Sequence, residues 1–347
     1  MIELEQEVKA DIASLPRLKA DMPDGDPLLW KVPLPLRATF FPVGFAVEIS
    51  TNAQEVLDAA DESWGASRQR FDHPPLHYRV GVIDQGTEHC PPAPVVRAQR
   101  HLVSFVADSH NHAFCDTKEG FGYAWVNRGA ISHRGYLRYH ILESAVLTLI
   151  DTSRAIAIHA GCVSRFGCGI LICGDSGAGK SSLAYGCARE GWTYTSDDAS
   201  YLLLGSTEPN IIGEAQQIRF RPSAKGLFPE LHGHSLTPRA RGKPSIEVPL
   251  SDLPGIIAAE EARAHCAIFL NRQPGAVAEL RPYSKEKATE YFRTSGSAYP
   301  VEAYDPSPIA TFDCLAGLKT YELHYSDLSQ AVECLDQLAR SFHLSPR

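Results

Sequence analysis

The sequence predicts an α/β phosphate-loop domain at about 135–347, preceded by a mixed α/β domain over about 1–134. Three observations carry this. A short, nearly all-apolar run CGILICG (168–174) has no alternation, as in a strand buried on both faces of a helix-covered sheet. A glycine-rich loop follows it directly, and an apolar-periodic segment SSLAYGCARE follows the loop, giving strand, loop and helix in the order of a phosphate-binding unit. The chain also changes character near residue 135, from strand-rich to helical periodicity.

The N-terminal elements come first. LRATFFPVGFAVEIS (36–50) is aromatic and β-branched, and Thr51-Asn52 is placed to cap a helix through AQEVLDAADESW. HYRVGVID (77–84), HLVSFVAD (101–108) and GYAWVN (122–127) are expected strands, with a Pro-rich loop at 91–95. His110, His112, Cys115 and Asp116 cluster in DSHNHAFCD. His110 and His112 share a face at strand spacing, but a polar strand and turn accounts for them without a metal. From Gly135, YLRYHILESAVLTLI puts Leu137, Ile141, Ala145 and Leu149 on one helical face, and the strand RAIAIHAGCV follows.

Composition bounds the function classes. The 347 residues are 44% hydrophobic and 21% charged, enough to bury a sizeable core. With 33 Lys and Arg against 41 Asp and Glu the net charge is −8, which opposes a non-specific grip on nucleic acid or an anionic membrane. No run approaches the roughly 18 apolar residues needed to span a bilayer. The start MIELEQEVKADIASL is too charged for a signal peptide, so a cytoplasmic location is expected. Nine cysteines form an odd set without C-x-x-C or zinc-ribbon spacing and are expected to be reduced thiols.

The chemistry concentrates in Gly174-Asp175-Ser176-Gly177-Ala178-Gly179-Lys180-Ser181, followed by Ser182, which matches the Walker A pattern G-x-x-x-x-G-K-[ST]. Glycines let successive backbone N–H groups face one anion, and the next helix adds its positive dipole end. Lys180 would reach the β and γ phosphates of ATP, and the Ser181 hydroxyl would ligate Mg²⁺. Sixteen residues after Ser181 comes Asp197, beside Asp198, closing GWTYTSDD. A helix of about ten residues, a turn at Gly191 and a short strand return this pair to the phosphates. One carboxylate would serve the metal and the other the attacking hydroxyl. An Asp-Asp pair by itself is a common surface turn; its spacing from the phosphate loop gives it a role. His159, fifteen residues before Gly174, ends near the loop if its strand neighbours CGILICG.

Together these residues, HAGCVSRFGCGILICGDSGAGKSSLAYGCAREGWTYTSDD, resemble the catalytic core of the HPr kinase/phosphorylase family, in the group of kinases related to phosphoenolpyruvate carboxykinase. The likeness is specific over about 45 residues, weaker to about 345 and absent before about 135. It implies an ATP- and Mg²⁺-dependent kinase acting on a serine-type hydroxyl. His159 takes the place of the family's active-site histidine, Lys180 and Ser181 of its phosphate-loop residues, and Asp197 and Asp198 of its catalytic and metal-associated acidic pair. The family assembles as hexamers, which makes a homo-oligomer an expectation.

One departure is plain: the family signature E-[IV]-R-G-L-G is replaced by IRFRPSAKGLFPEL (218–231), without the metal-associated glutamate. The acceptor is therefore expected not to be HPr itself, and a small molecule or peptide, or a regulatory module that binds nucleotide without transfer, are the alternatives. The altered segment is basic, and Arg219, Arg221 and Lys243 are candidate phosphate clamps; Arg239 and Arg241 fall in a Gly- and Pro-flanked loop. HCAIFLN (265–271) is an expected buried strand, YSKEKATEYF a helix, and TYELHYSDLSQAVECLDQLARSF a strand and an amphipathic helix capped by Ser326 or Asp327.

Overall fold

The first sheet is built from the strand-rich half. The computed structural model describes residues 32–84, 86–151, 153–236, 244–295 and 311–344, so Lys243, Arg239 and Arg241 lie outside the described residues. β1 (Leu36–Phe40), β2 (Val47–Thr51), β3 (Leu76–Ile83), β4 (Val95–Gln99), β5 (Leu102–Val106), β6 (His112–Asp116) and β7 (Phe121–Asn127) line up in the order β1-β2-β3-β7-β6-β5-β4. Only β2/β3 and β3/β7 are parallel. The aromatic run 36–50 breaks at the turn Pro42–Gly44, where Val43 takes φ 54° although it is β-branched.

Helix α1 (Gln54–Trp64) covers this sheet with Val56, Ala59, Ala60 and Trp64. Its cap position is Ala53, one residue later than the sequence suggests. The Asn52 side chain is drawn away by β3: its amide donates to the Val82 carbonyl and its oxygen accepts the Val82 N–H, both at 2.8 Å. The Pro-rich loop gives way to β4, an exposed edge strand.

The helical periodicity after residue 135 is present with a local irregularity. A π-helical stretch, Leu137–Glu143, runs into α2 (Ser144–Ile150). Leu137, Ile141, Ala145 and Leu149 are buried as expected, in the same core as the seven-stranded sheet. The wider π turn carries Arg138, Tyr139 and Glu143 toward Arg219 and Glu247, and such π turns are often found at functional sites.

That second sheet contains β8 (Ala155–Ile158), β9 (Ala160–Arg165), β10 (Cys168–Cys173), β11 (Thr193–Ser196), β12 (Ser200–Leu203) and β13 (Asn210–Gly213). A separate pair follows, β14 (Gln217–Phe220) with β15 (Ile246–Pro249). β16 (Ile257–Ala258), β17 (Glu261–Arg272), β18 (Glu279–Pro282) and β19 (Lys319–Tyr325) complete the sheet. Its path is β16-β11-β9-β10-β17-β13-β12-β8, with β19 on β17 and β18 on β19.

Two helices, α3 (Lys180–Arg189) and α5 (Leu328–Leu344), pack with one face of this sheet, and α4 (Lys285–Ser295) packs with the other. Every residue of β10 is buried between them, which is why its sequence lacks alternation. Asp327 caps α5 by accepting the Gln330 N–H at 2.9 Å, while Ser326 donates to the Ala276 carbonyl. Among the described residues no helix is long and apolar enough to cross a membrane.

Candidate active site

Strand order brings the sequence candidates together. β9 lies between β10 and β11 and is antiparallel to both. The start of β9 and the ends of β10 and β11 therefore share one edge of the sheet. Cys173 pairs with Ala160 and Ser196 with Cys162, which sets His159, the 174–179 loop and Asp197 side by side. Gly161 makes this approach possible: a Cβ there would lie 3.0 Å from the Asp197 carbonyl oxygen. The Ser200 hydroxyl locks the turn by donating to the Ala160 carbonyl at 2.9 Å, with the Ser196 hydroxyl 2.7 Å away.

The loop from β10 to α3 has positive φ at Gly174, Gly177 and Gly179. Gly179 precedes the helix at φ 110°, and a Cβ there would meet the Tyr325 hydroxyl at 2.9 Å, so both conformation and space demand glycine. Two tyrosines brace the loop. The Tyr291 hydroxyl accepts the Gly174 N–H at 3.0 Å and donates to the His159 carbonyl at 2.7 Å. Tyr325 donates to the Ala178 carbonyl at 3.3 Å.

Lys180 is folded inward and buried. Its ammonium donates to the Gly174 carbonyl at 2.9 Å and lies 3.4 Å from the Asp175 carbonyl, 2.8 Å from His159 Nε2 and 3.3 Å from Asp198 Oδ1. Asp198 also faces His159 Nδ1 at 3.5 Å. Burial, aided by Lys180, pushes the His159 imidazole down from its ordinary value, against the pull of Asp198. It is neutral near pH 7 and able to accept from the lysine.

Asp197 is set differently. Its Oδ2 accepts the Arg219 backbone N–H at 3.1 Å, and the Ser181 hydroxyl bonds to its carboxyl. Burial first and the Asp198 charge second push it up to about 6, outweighing those hydrogen bonds and the Arg219 charge. A carboxyl in this state gains from a cation beside it. With the Ser181 hydroxyl it offers a pair of oxygen donors of the kind Mg²⁺ takes, with waters and substrate phosphates as the other ligands. Among the described residues no group of three or more His, Cys, Asp or Glu side chains gathers as a metal cluster.

The basic candidates divide. Arg221 donates to the Ser176 hydroxyl of the phosphate loop at 3.0 Å. The Arg219 guanidinium turns the other way, onto Glu143 at 2.8 Å and Glu247 at 2.7 Å, with its Cζ 4.9 Å from the Tyr139 ring centroid. Burial alone would lower its pKa, but Glu143 and Glu247 raise it well beyond the ordinary value. Arg138 joins the same carboxylates at 3.4 and 3.3 Å, and Tyr139 donates to Glu247. This network ties the π-helical stretch to β14 and β15, directly behind Asp197.

All of this opens onto a cavity of about 600 Å³. Ser176, Lys180, Ser181, Ser182, Asp197, Asp198 and Arg221 line its phosphate-loop side, and Leu147, Tyr201, Phe220 and Leu227 its apolar side. Two charged lining residues, Glu214 and Arg272, are not among the sequence candidates. Among the described residues Glu214 Oε1 is buried without a hydrogen-bond partner, and burial, with the nearby Glu143 charge, pushes the carboxyl up to about 7 against its hydrogen bonds from Val43 and Trp64. Arg272 ends the buried strand β17, where the run HCAIFLNR shows the strand but not what its tip faces.

Comparison with known proteins finds no matching family profile and no matching curated protein. Among solved structures, the HPr(Ser) kinase/phosphatase from Coxiella burnetii is a weak likeness: 13% identity, 54% of this chain and 96% of that chain covered, TM-score 0.29.

Proposed function

We propose that the chain is an ATP- and Mg²⁺-dependent phosphotransferase acting on a serine-type hydroxyl. The observation that supports this best is the convergence of the loop Gly174–Ser181 and the pair Asp197–Asp198 on one cavity, with the Lys180 ammonium between them. Phosphoryl transfer needs little beyond positioning and charge stabilisation, and these residues supply both.

In this reading the loop amides and the α3 N-terminus cradle the phosphates, and Lys180 shifts from the Gly174 carbonyl onto them. Ser181 and Asp197, already hydrogen-bonded, would hold Mg²⁺, which would supply neutralisation of phosphate charge. Asp198, at 59% side-chain exposure, faces the cavity mouth and takes the proton of the attacking hydroxyl. His159 positions Asp198 and Lys180. Arg221 secures the loop through Ser176, and Arg219 positions Asp197 through its backbone N–H rather than through its charge. The apolar side of the cavity receives the acceptor; a protein serine, a peptide or a small alcohol fits the same chemistry.

The test is transfer from γ-labelled ATP with Mg²⁺ into a lysate of the source organism. A labelled species formed by the wild type, and reduced at least about a hundredfold by Lys180→Ala and by Asp198→Asn, supports the reading. Nucleotide binding by the wild type without any labelled product in the protein or small-molecule fraction would favour a regulatory module instead.

A further inference from the structure

We propose that Arg272 recognises the terminal phosphate of a bound nucleoside triphosphate, distinguishing it from the diphosphate; this rests on the phosphotransferase reading above. β17 runs parallel to β10, with Phe269 opposite Cys173, the last residue before the phosphate loop. β17 then continues for three residues to Arg272. Its tip therefore projects past the end of β10 on the side where the loop begins. On its other side β17 is parallel to β19, and Arg272 is in register with Tyr325, whose hydroxyl bonds to the Ala178 carbonyl. Arg272 thus shares the cavity with Ser176, Gly177 and Gly179.

Among the described residues four cationic side chains line the cavity: Lys180, Arg219, Arg221 and Arg272. Lys180 is engaged by His159, Asp198 and the Gly174 carbonyl, Arg219 by two glutamates, and Arg221 by Ser176. Arg272 is exposed, and among the described residues no hydrogen bond or ion pair engages its guanidinium, which acts on the neighbouring Tyr325 hydroxyl only through its charge. A planar, permanently charged fork at the rim of a phosphate loop is suited to bidentate contact with phosphate oxygens. Lys180 and the loop amides approach the β and γ phosphates from the loop side, which leaves the outward oxygens of the terminal phosphate to a group reaching in from beyond the loop.

The experiment measures ATP and ADP affinity by calorimetry, with Mg²⁺, for the wild type, Arg272→Ala and Arg272→Lys. The wild type is expected to bind ATP more tightly than ADP. Arg272→Ala should lose about ten- to hundredfold in ATP affinity, as for a charged hydrogen bond, while ADP affinity changes less than about twofold. Arg272→Lys should recover part of the ATP affinity. An equal loss for both nucleotides, no loss for either, or a wild type that does not discriminate overturns the proposal. A wild type that binds neither nucleotide brings down the phosphotransferase reading itself, a result separable from failure of the arginine alone. Because Arg272 is exposed, thermal unfolding of the variants should match the wild type and confirm that the fold is intact.

Discussion

Lys180 and Arg219 are basic side chains on opposite flanks of the same aspartate pair, and their surroundings give them opposite duties. Lys180 is held by two carbonyls, a neutral imidazole and one exposed carboxylate, so its charge remains available to an incoming phosphate. Arg219 faces two carboxylates with side chains only 9% and 10% exposed, shared with Arg138, so its charge is already spent within the protein. The difference teaches that a cation near a phosphate loop is a ligand group only when any partners it has are weak enough for a phosphate to replace. By that criterion Arg272 stands with Lys180, and Arg219 with the scaffold.

The largest effect on the scaffold side should come from Arg219→Ala. It leaves Glu143 and Glu247 with less compensation, which costs roughly 2–4 kcal/mol, below the full value for a buried pair because the Arg219 side chain is 30% exposed. Thermal unfolding should show a fall of roughly 5 °C or more. An unchanged midpoint would break the comparison, because Arg219 would then not be the counterion this geometry makes it.

Next in size is a gain. Asp197 is raised from 3.8 to about 6 in the folded chain, so between those values the folded state holds a proton that the unfolded state has lost. Stability therefore falls as pH rises through that window and is flat above it. Asp197→Asn removes the penalty: without Mg²⁺ the variant should melt a few degrees above the wild type at pH 7.5, with the gap closing toward pH 4. A variant that melts lower at pH 7.5 would show that the carboxylate is a net stabiliser and remove the electrostatic case for a cation site.

The smallest effect sharpens the Lys180 side. Tyr291→Phe strips the Gly174 N–H and the His159 carbonyl of their shared hydroxyl, a loss of about 1 kcal/mol. Mg-ATP affinity should fall several-fold with the midpoint nearly unchanged. A full loss of binding would mean that the tyrosine shapes the whole loop rather than bracing one end.

Much of this site was legible in the sequence because it is local. The phosphate loop, the helix after it and the return to Asp197 all lie within one strand-helix-strand unit, so spacing alone placed Lys180 near Asp198. The partners that decide what each charge does come from afar. Glu143 is 76 residues before Arg219, and Tyr291 is 117 after Gly174. No periodicity announces such pairings. The π-helical stretch hid Glu143 further, since the apolar stripe through Leu137, Ile141 and Ala145 predicts an ordinary helix. In the N-terminal half the strands at 77–84, 101–108 and 122–127 match β3, β5 and β7 closely, whereas Asn52 was drawn from a helix cap to the backbone of Val82 by a neighbour 30 residues away. Arg272 was hidden for the same reason: only the register of β17 against β10 and β19 shows that its tip overhangs the loop.

The most direct test of the central claim is calorimetric titration of Mg-ATP into the wild type and Lys180→Ala, with thermal unfolding of the same samples. The account predicts that the wild type binds, that Lys180→Ala loses binding by about a hundredfold or more, and that its midpoint stays within a few degrees of the wild type. Undiminished binding by Lys180→Ala, or a collapse of its midpoint like that expected for Arg219→Ala, would contradict it.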